Sequence, residues 1–101
     1  MLYKSTRGSS QEIPFSEVLL GGLAPDGGLY MPDHFPFMTL EEINRMETLE
    51  FHELASKILF PFVTGEITEN EFSNLVQDTY SNFNNKNVVN LVDIEREKWI
   101  L

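Results

Sequence analysis

The chain has 101 residues, 42% of them apolar, and a net charge of −9 from 16 acidic and 7 basic side chains. That length allows one small domain with a packed core, and the acidity, with no cluster of Lys or Arg, argues against binding to nucleic acid or to an anionic membrane. No cysteine is present, which removes disulfides, thiolate metal sites and cysteine catalysis together; it suits a reducing cytosol, and a cytoplasmic location is the expectation.

The first residues, MLYKSTRGSS, lack the apolar run of a signal peptide. Leu2–Thr6 reads as a short strand, broken by Gly8-Ser9-Ser10. Phe15, Val18, Leu19, Gly22 and Leu23 then recur at helical spacing. Pro14 suits the first turn of that helix, and Gly21-Gly22 ends it. Pro25-Asp26-Gly27-Gly28 follows, and Leu29-Tyr30-Met31 is a second extended piece closed by Pro32.

Thr39 and Glu42 form a capping box with Met38 and Ile43 as its hydrophobic staple. Leu40, Ile43 and Met46 would be the apolar face of that helix. A longer helix carries Phe51, Leu54, Ala55, Ile58, Leu59 and Phe62 on one stripe. Pro61 should loosen its last turn, and Gly65 should stop it. Thr68 and Glu71 form a second capping box, stapled by Ile67 and Phe72. Phe72, Leu75, Val76, Tyr80 and Phe83 continue the stripe. The short connection from Thr64 to Thr68 predicts that the last two helices are antiparallel neighbours. A polar linker, residues 82–87, leads to a strand over Val88–Val92 and to the start of another at Lys98-Trp99-Ile100-Leu101. The chain stops inside an apolar, β-prone run, which suggests the N-terminal piece of a longer protein.

Candidate chemistry is sparse. His34 and His52 lie on different elements with no metal-ligand spacing, so no metal site is expected. Glu41-Glu42, and Glu66 with Glu69 and Glu71, fall in first turns of predicted helices, where the macrodipole favours acid. Capping accounts for them without paired-carboxylate catalysis. Gly27-Gly28 lacks the spacing and strand-to-helix context of a phosphate loop. Pro25 at i+1, Asp26 at i+2 and Gly27 at i+3 instead suit a type I turn, with Gly28 free to take positive φ. Ser5-Thr6-Arg7-Gly8-Ser9-Ser10 is the most donor-rich patch of an acidic chain. Arg7 flanked by hydroxyls could bind a carboxylate or phosphate; the same residues also read as an exposed strand end.

Three stretches in order, "YKSTRG", "FSEVLLGGLAPDGGLYMP" and "FHELASKILFPF", resemble the N-terminal domain of the threonine synthase family. Members are pyridoxal phosphate (PLP) enzymes that convert O-phosphohomoserine and water to threonine and phosphate. The resemblance implies a small α+β domain of a fold-type II PLP enzyme, mainly helical, with about four helices and a few short strands. Residues 1–83 would be that domain. Residues 84–101 would be linker and strands leading into a PLP-binding catalytic domain. In the family a segment like Lys98–Leu101 leads into a Glu-Leu-Phe-His-Gly-Pro-Thr stretch and then a Phe-Lys-Asp stretch whose lysine carries PLP. Neither stretch is present here. Lys4, Lys57, Lys86 and Lys98 match no part of that motif, so no catalytic or cofactor-binding residue is expected in this chain, and alone it should be inactive and bind no PLP. Pro14 departs from the family, whose members often cap the first helix with Ser or Thr.

The resemblance makes the catalytic domains of the same polypeptide the partner, and O-phosphohomoserine the substrate of the full enzyme. Ser5, Thr6 and Arg7 are the substrate-binding candidates. Asp26, Gly27 and Gly28 are the structural turn, expected to set Leu29 and Tyr30 beside the Leu2–Thr6 strand. Two alternatives remain in the sequence: the N-terminal domain of a threonine-synthase-like phospholyase, and a stand-alone interaction module.

Overall fold

The computed structural model describes residues 1–8, 11–83, 88–89 and 91–100. In chain order these form β1 (Leu2–Ser5), β2 (Ile13–Pro14), α1 (Phe15–Gly21), β3 (Tyr30–Pro32), α2 (Leu40–Arg45) and α3 (Phe51–Leu59). A 3-10 turn (Phe60–Val63), α4 (Glu69–Ser81), β4 (Val92–Glu95) and β5 (Lys98–Ile100) complete the order. Among the described residues there are thus four α-helices and short strands, the α+β architecture the resemblance implies.

β1 is the centre of a three-stranded antiparallel sheet of order β2-β1-β3. Tyr3 pairs with Ile13 on one side and with Pro32 on the other, and Ser5 pairs with Tyr30. Pro14 sits on the edge strand, where its missing N–H leaves no gap in the ladder. The two-residue β2 carries too little pattern to be read from sequence. Past the regular strands, Asp33 N–H donates to Leu2 O at 2.9 Å and Thr6 N–H donates to Leu29 O at 2.8 Å.

The helical layer is built on local signals. Thr39 Oγ1 accepts from Glu42 N–H while Glu42 Oε2 accepts from Thr39 N–H, and Thr68 with Glu71 repeats the arrangement. Pro61 falls in the 3-10 turn that tightens the end of α3. Gly65 follows at φ 96°. The Phe51 ring lies 4.9 Å from Tyr80, and Phe60 lies 5.9 Å from Phe72. The start of α3 therefore meets the end of α4 and the reverse, so the pair is antiparallel.

Two hydrogen bonds tie the N-terminal segment to the region that closes α3. The Tyr3 hydroxyl donates to Phe62 O at 2.7 Å. The Met1 ammonium donates to Thr64 O at 3.0 Å. Tyr3 is buried, and its ring lies 6.0 Å from Phe15. Burial, with Asp33 and Glu66 nearby, raises its phenol pKa above the usual value.

The predicted apolar faces are only partly internal. Tyr3, Ala24, Val63 and Val76 are the buried hydrophobic residues among those described. Leu19 and Leu23 of the predicted α1 face are exposed, as are Leu40 and Ile43 of α2 and Leu75 of α4. Helical periodicity identifies a face but not what covers it. Two further expectations shift. The strand read at Val88–Val92 instead begins at Val92 and runs to Glu95, because β4 pairs with β5 through Val92–Ile100 and Asp93–Trp99. Every residue from 91 to 100 is exposed. Ser9, Ser10, residues 84–87, Asn90 and Leu101 lie outside the described residues, and with them parts of the Gly8–Ser10 break, the polar linker and the final strand.

Candidate functional site

The site begins where β1 ends. Ser5 is the last residue of β1 and is buried, while Thr6 and Arg7 emerge beyond it exposed. The antiparallel partner of this end is the stretch just after the glycine pair. Thr6 Oγ1 accepts from Leu29 N–H at 3.0 Å, doubling the link made by Thr6 N–H to Leu29 O.

The chain reverses at Ala24–Gly28. Gly27 N–H donates to Ala24 O at 2.8 Å, the i+3 to i bond of a β-turn, and Ala24 N–H donates to Gly28 O at 3.0 Å. A turn of this kind, closed by one residue at positive φ, is the usual three-residue hairpin connection. That residue is Gly27, at φ 75°. The positive φ expected at Gly28 is therefore one position too late, because the residue at i+3 must turn left-handed to bring Gly28 back opposite Ala24.

Gly28 is required for another reason. A Cβ there would lie 2.1 Å from Ser5 Oγ, 3.0 Å from Asp26 Oδ1 and 3.1 Å from Thr6 Oγ1. Three polar groups close over a backbone that has no side chain to make room for. Asp26 organises them. Its Oδ1 accepts from Ser5 Oγ at 2.7 Å and from Gly28 N–H at 2.9 Å. The second bond is an Asx-turn, a signal legible in any Asp followed two residues later by a free N–H. Ser5 Oγ also accepts from Arg7 N–H at 3.1 Å. Arg7 Nη1 donates to Asp26 O at 3.0 Å. The guanidinium lies against Gly27, where a Cβ would be 3.3 Å from Nη1. The structure thus brings Ser5, Thr6 and Arg7 together with Asp26, Gly27 and Gly28 in one hydrogen-bonded unit.

A second constellation was invisible in the sequence. Glu66 is not in a helical first turn: it precedes the Thr68 cap of α4. Its carboxylate instead accepts from Ser16 N–H at 2.8 Å and from the Ser16 hydroxyl. Ser16 is the second residue of α1, and Pro14, at the N-cap position, offers no side-chain acceptor. Glu66 therefore supplies the cap that a local Ser or Thr would otherwise give. The Ser16 hydroxyl, and then its N–H, hold the Glu66 pKa below the ordinary carboxylate value. Glu42 and Glu71 are lowered in the same way by Thr39 and Thr68.

The remaining candidates stand apart. His34 Nδ1 lies 2.9 Å from Asp33 Oδ1 in the next position, and both are exposed. His52 is half-buried in α3. Among the described residues no three His, Cys, Asp or Glu side chains group as metal ligands. Lys4 and Lys57 are exposed, and Lys98 pairs with Glu95 at 2.7 Å. No helix among the described residues is long and apolar enough to cross a membrane.

Comparison with known proteins gives a consistent picture. The family model described as "Threonine synthase N terminus" matches residues 2–80. Threonine synthase of Pseudomonas aeruginosa is 43% identical over all 101 residues, which cover 22% of its length. Mouse "Threonine synthase-like 2" is 34% identical over 96 residues, 94% of this chain and 20% of its own. The crystal structure of PLP-bound threonine synthase from Brucella melitensis superposes with a TM-score of 0.88 at 38% identity, over 99% of this chain and 22% of that one. The chain therefore spans about a fifth of the length of these relatives.

Proposed function

Because the chain belongs to the threonine synthase N-terminal family, we propose that it serves as the N-terminal domain of a cytoplasmic PLP-dependent lyase, one that converts O-phosphohomoserine and water to threonine and phosphate. Residues 1–83 would form the domain, and residues 84–101 would lead into the catalytic domains of the same polypeptide. PLP, held by those domains, would supply the electron sink for the chemistry. The present residues brace that machinery, and the end of β1, with Thr6 and Arg7 exposed beyond the buried Ser5, lies on the substrate side.

The observation that carries this reading is the mismatch between pattern and burial. Leu40 is 79% exposed, Leu19 69% and Leu23 63%. Faces of this kind mark surfaces made to be covered. The chain accounts for 22% of the length of the P. aeruginosa relative, and the rest of the polypeptide is the nearest available cover.

The test uses the full-length protein. Incubated with PLP and O-phosphohomoserine, it should release phosphate and threonine in equal amounts. Phosphate without threonine would favour the phospholyase reading, which the 34% identity to "Threonine synthase-like 2" supports. No phosphate at all would overturn both. Residues 1–101 alone should show no turnover and no lysine-linked PLP after borohydride.

A further inference from the structure

We infer that Arg7 is the one charged anion-binding group of the Ser5–Arg7 segment, and that Ser5, Asp26, Gly27 and Gly28 are its seat and not ligands. The inference rests on the proposed function and narrows it to a single side chain that takes the phosphate of a phosphate monoester.

The Ser5 hydroxyl is engaged both as donor and as acceptor, and Thr6 Oγ1 is engaged as an acceptor. Ser5 Oγ is buried, donates to Asp26 Oδ1 and accepts from Arg7 N–H. Thr6 Oγ1 accepts from Leu29 N–H. A ligand approaching Ser5 would have to break the turn to reach it.

Arg7 is different. Among the described residues its guanidinium makes one hydrogen bond, from Nη1 to the neutral carbonyl of Asp26. A guanidinium carries five N–H donors, so most of the fork remains open. Arg7 also belongs to none of the ion pairs among the described residues, whereas Arg45 is held by Glu41 and Lys98 by Glu95. In a chain of net charge −9, an exposed guanidinium in no ion pair among the described residues offers its charge to an incoming anion. A phosphate monoester, near two negative charges at neutral pH, gains more from it than a carboxylate does.

The seat restrains the side chain at both ends. The Arg7 main chain is tied through its N–H to Ser5 Oγ, and its tip is tied through Nη1 to the Asp26 carbonyl. Gly27 permits this, since a Cβ would crowd Nη1 at 3.3 Å. Restraint before binding lowers the entropy lost when an anion arrives. This completes the reason for two adjacent glycines. Gly27 turns the chain and makes room for the guanidinium, and Gly28 makes room for Ser5.

The experiment is a thermal-shift titration of full-length, PLP-loaded protein with inorganic phosphate, with acetate at matched ionic strength as the control. Phosphate should stabilise the wild-type protein, and Arg7→Ala should weaken the apparent phosphate affinity by about tenfold or more, the scale of a lost charge-assisted hydrogen bond. Its unfolding midpoint without phosphate should stay put. Arg7→Lys should recover only part of the affinity, having no fork to share between Asp26 O and the anion. Gly27→Ala and Ser5→Ala should also weaken phosphate binding, though neither residue would touch it. An equal phosphate response in the wild type and Arg7→Ala overturns the inference. So does an equal response to acetate, and so does full phosphate affinity in both seat variants. Threonine formation is scored separately. If it persists while phosphate binding ignores Arg7, this inference fails and the proposed function stands. If phosphate binding depends on Arg7 but no threonine forms, the reverse holds.

Discussion

Glu66 caps α1 through Ser16, a residue 50 positions away in sequence, by accepting from both its N–H and its hydroxyl. The N-terminus of α1 therefore depends on the loop between the 3-10 turn and α4. Helix α1 can be complete only when the helical layer is in place.

This link predicts an acid-sensitive contact. The folded-state pKa of Glu66 is lowered by Ser16. Its contribution is present above the unfolded carboxylate pKa of about 4.3 and is lost as pH falls through the folded value. Glu42 and Glu71, lowered by Thr39 and Thr68, act in the same direction. Stability should fall on acidification below about pH 4, and Glu66→Gln should flatten part of that fall. Hydrogen exchange offers a local check. The Ser16 amide should exchange faster in Glu66→Ala than in the wild type, while amides in α4 hold their rates. Unchanged exchange at Ser16 would count against the cap.

The two glycines of the turn should fail differently. Gly27→Ala places a side chain at φ 75°, at a cost of about 1–2 kcal/mol. Gly28→Ala meets Ser5 Oγ at 2.1 Å, and overpacking of this kind costs about 1–3 kcal/mol. Ser5→Ala removes the obstructing oxygen. Gly28→Ala should therefore cost less in a Ser5→Ala background than alone, and Gly27→Ala should show much weaker coupling. Equal coupling for both, measured by urea unfolding, would refute the distinction.

The Tyr3 hydroxyl is one of two bonds from the N-terminal segment to the region that closes α3. Tyr3→Phe leaves the Phe62 carbonyl without that donor and should cost about 1 kcal/mol. The loss should appear in the unfolding rate or the equilibrium midpoint. A variant as stable as the wild type would show that the Met1–Thr64 bond and side-chain packing hold the two layers without it.

Leu75 and Val76 separate burial within this chain from burial against the rest of the polypeptide. Val76 is 8% exposed and Leu75 58%. In residues 1–101, Val76→Ala should cost about 1–2 kcal/mol and Leu75→Ala about 0.5 kcal/mol or less. That reverses the sequence-based expectation of a buried Leu75. Leu20, at 88% exposure, should behave like Leu75 in the short chain. If catalytic domains cover α1, Leu20→Ala should become markedly costlier in the full-length protein. The same small cost in both lengths would leave α1 uncovered.

The amino-acid sequence by itself determined the features whose causes lie within a few residues. Thr39 with Glu42 and Thr68 with Glu71 start helices because a hydroxyl and a carboxylate three positions apart can satisfy each other's backbone N–H groups. Pro61 turns the end of α3 into a 3-10 turn, and the short span to Thr68 makes the last two helices antiparallel. Pro25-Asp26-Gly27-Gly28 reverses the chain, for the reasons any such tetrapeptide turns. Only the tertiary structure decided the rest. It chose Gly27 and not Gly28 for positive φ, because the pairing of Ala24 with Gly28 fixes where the left-handed residue must fall. It gave Glu66 to Ser16, a long-range contact that no local pattern encodes. It placed Arg7 on the turn while Ser5 turned inward, since that depends on which strand β1 meets. It also left Leu19, Leu23 and Leu75 in solvent. A periodic stripe reports that a residue can be buried, but burial itself needs a second surface, and that surface is set by the three-dimensional arrangement of the chain.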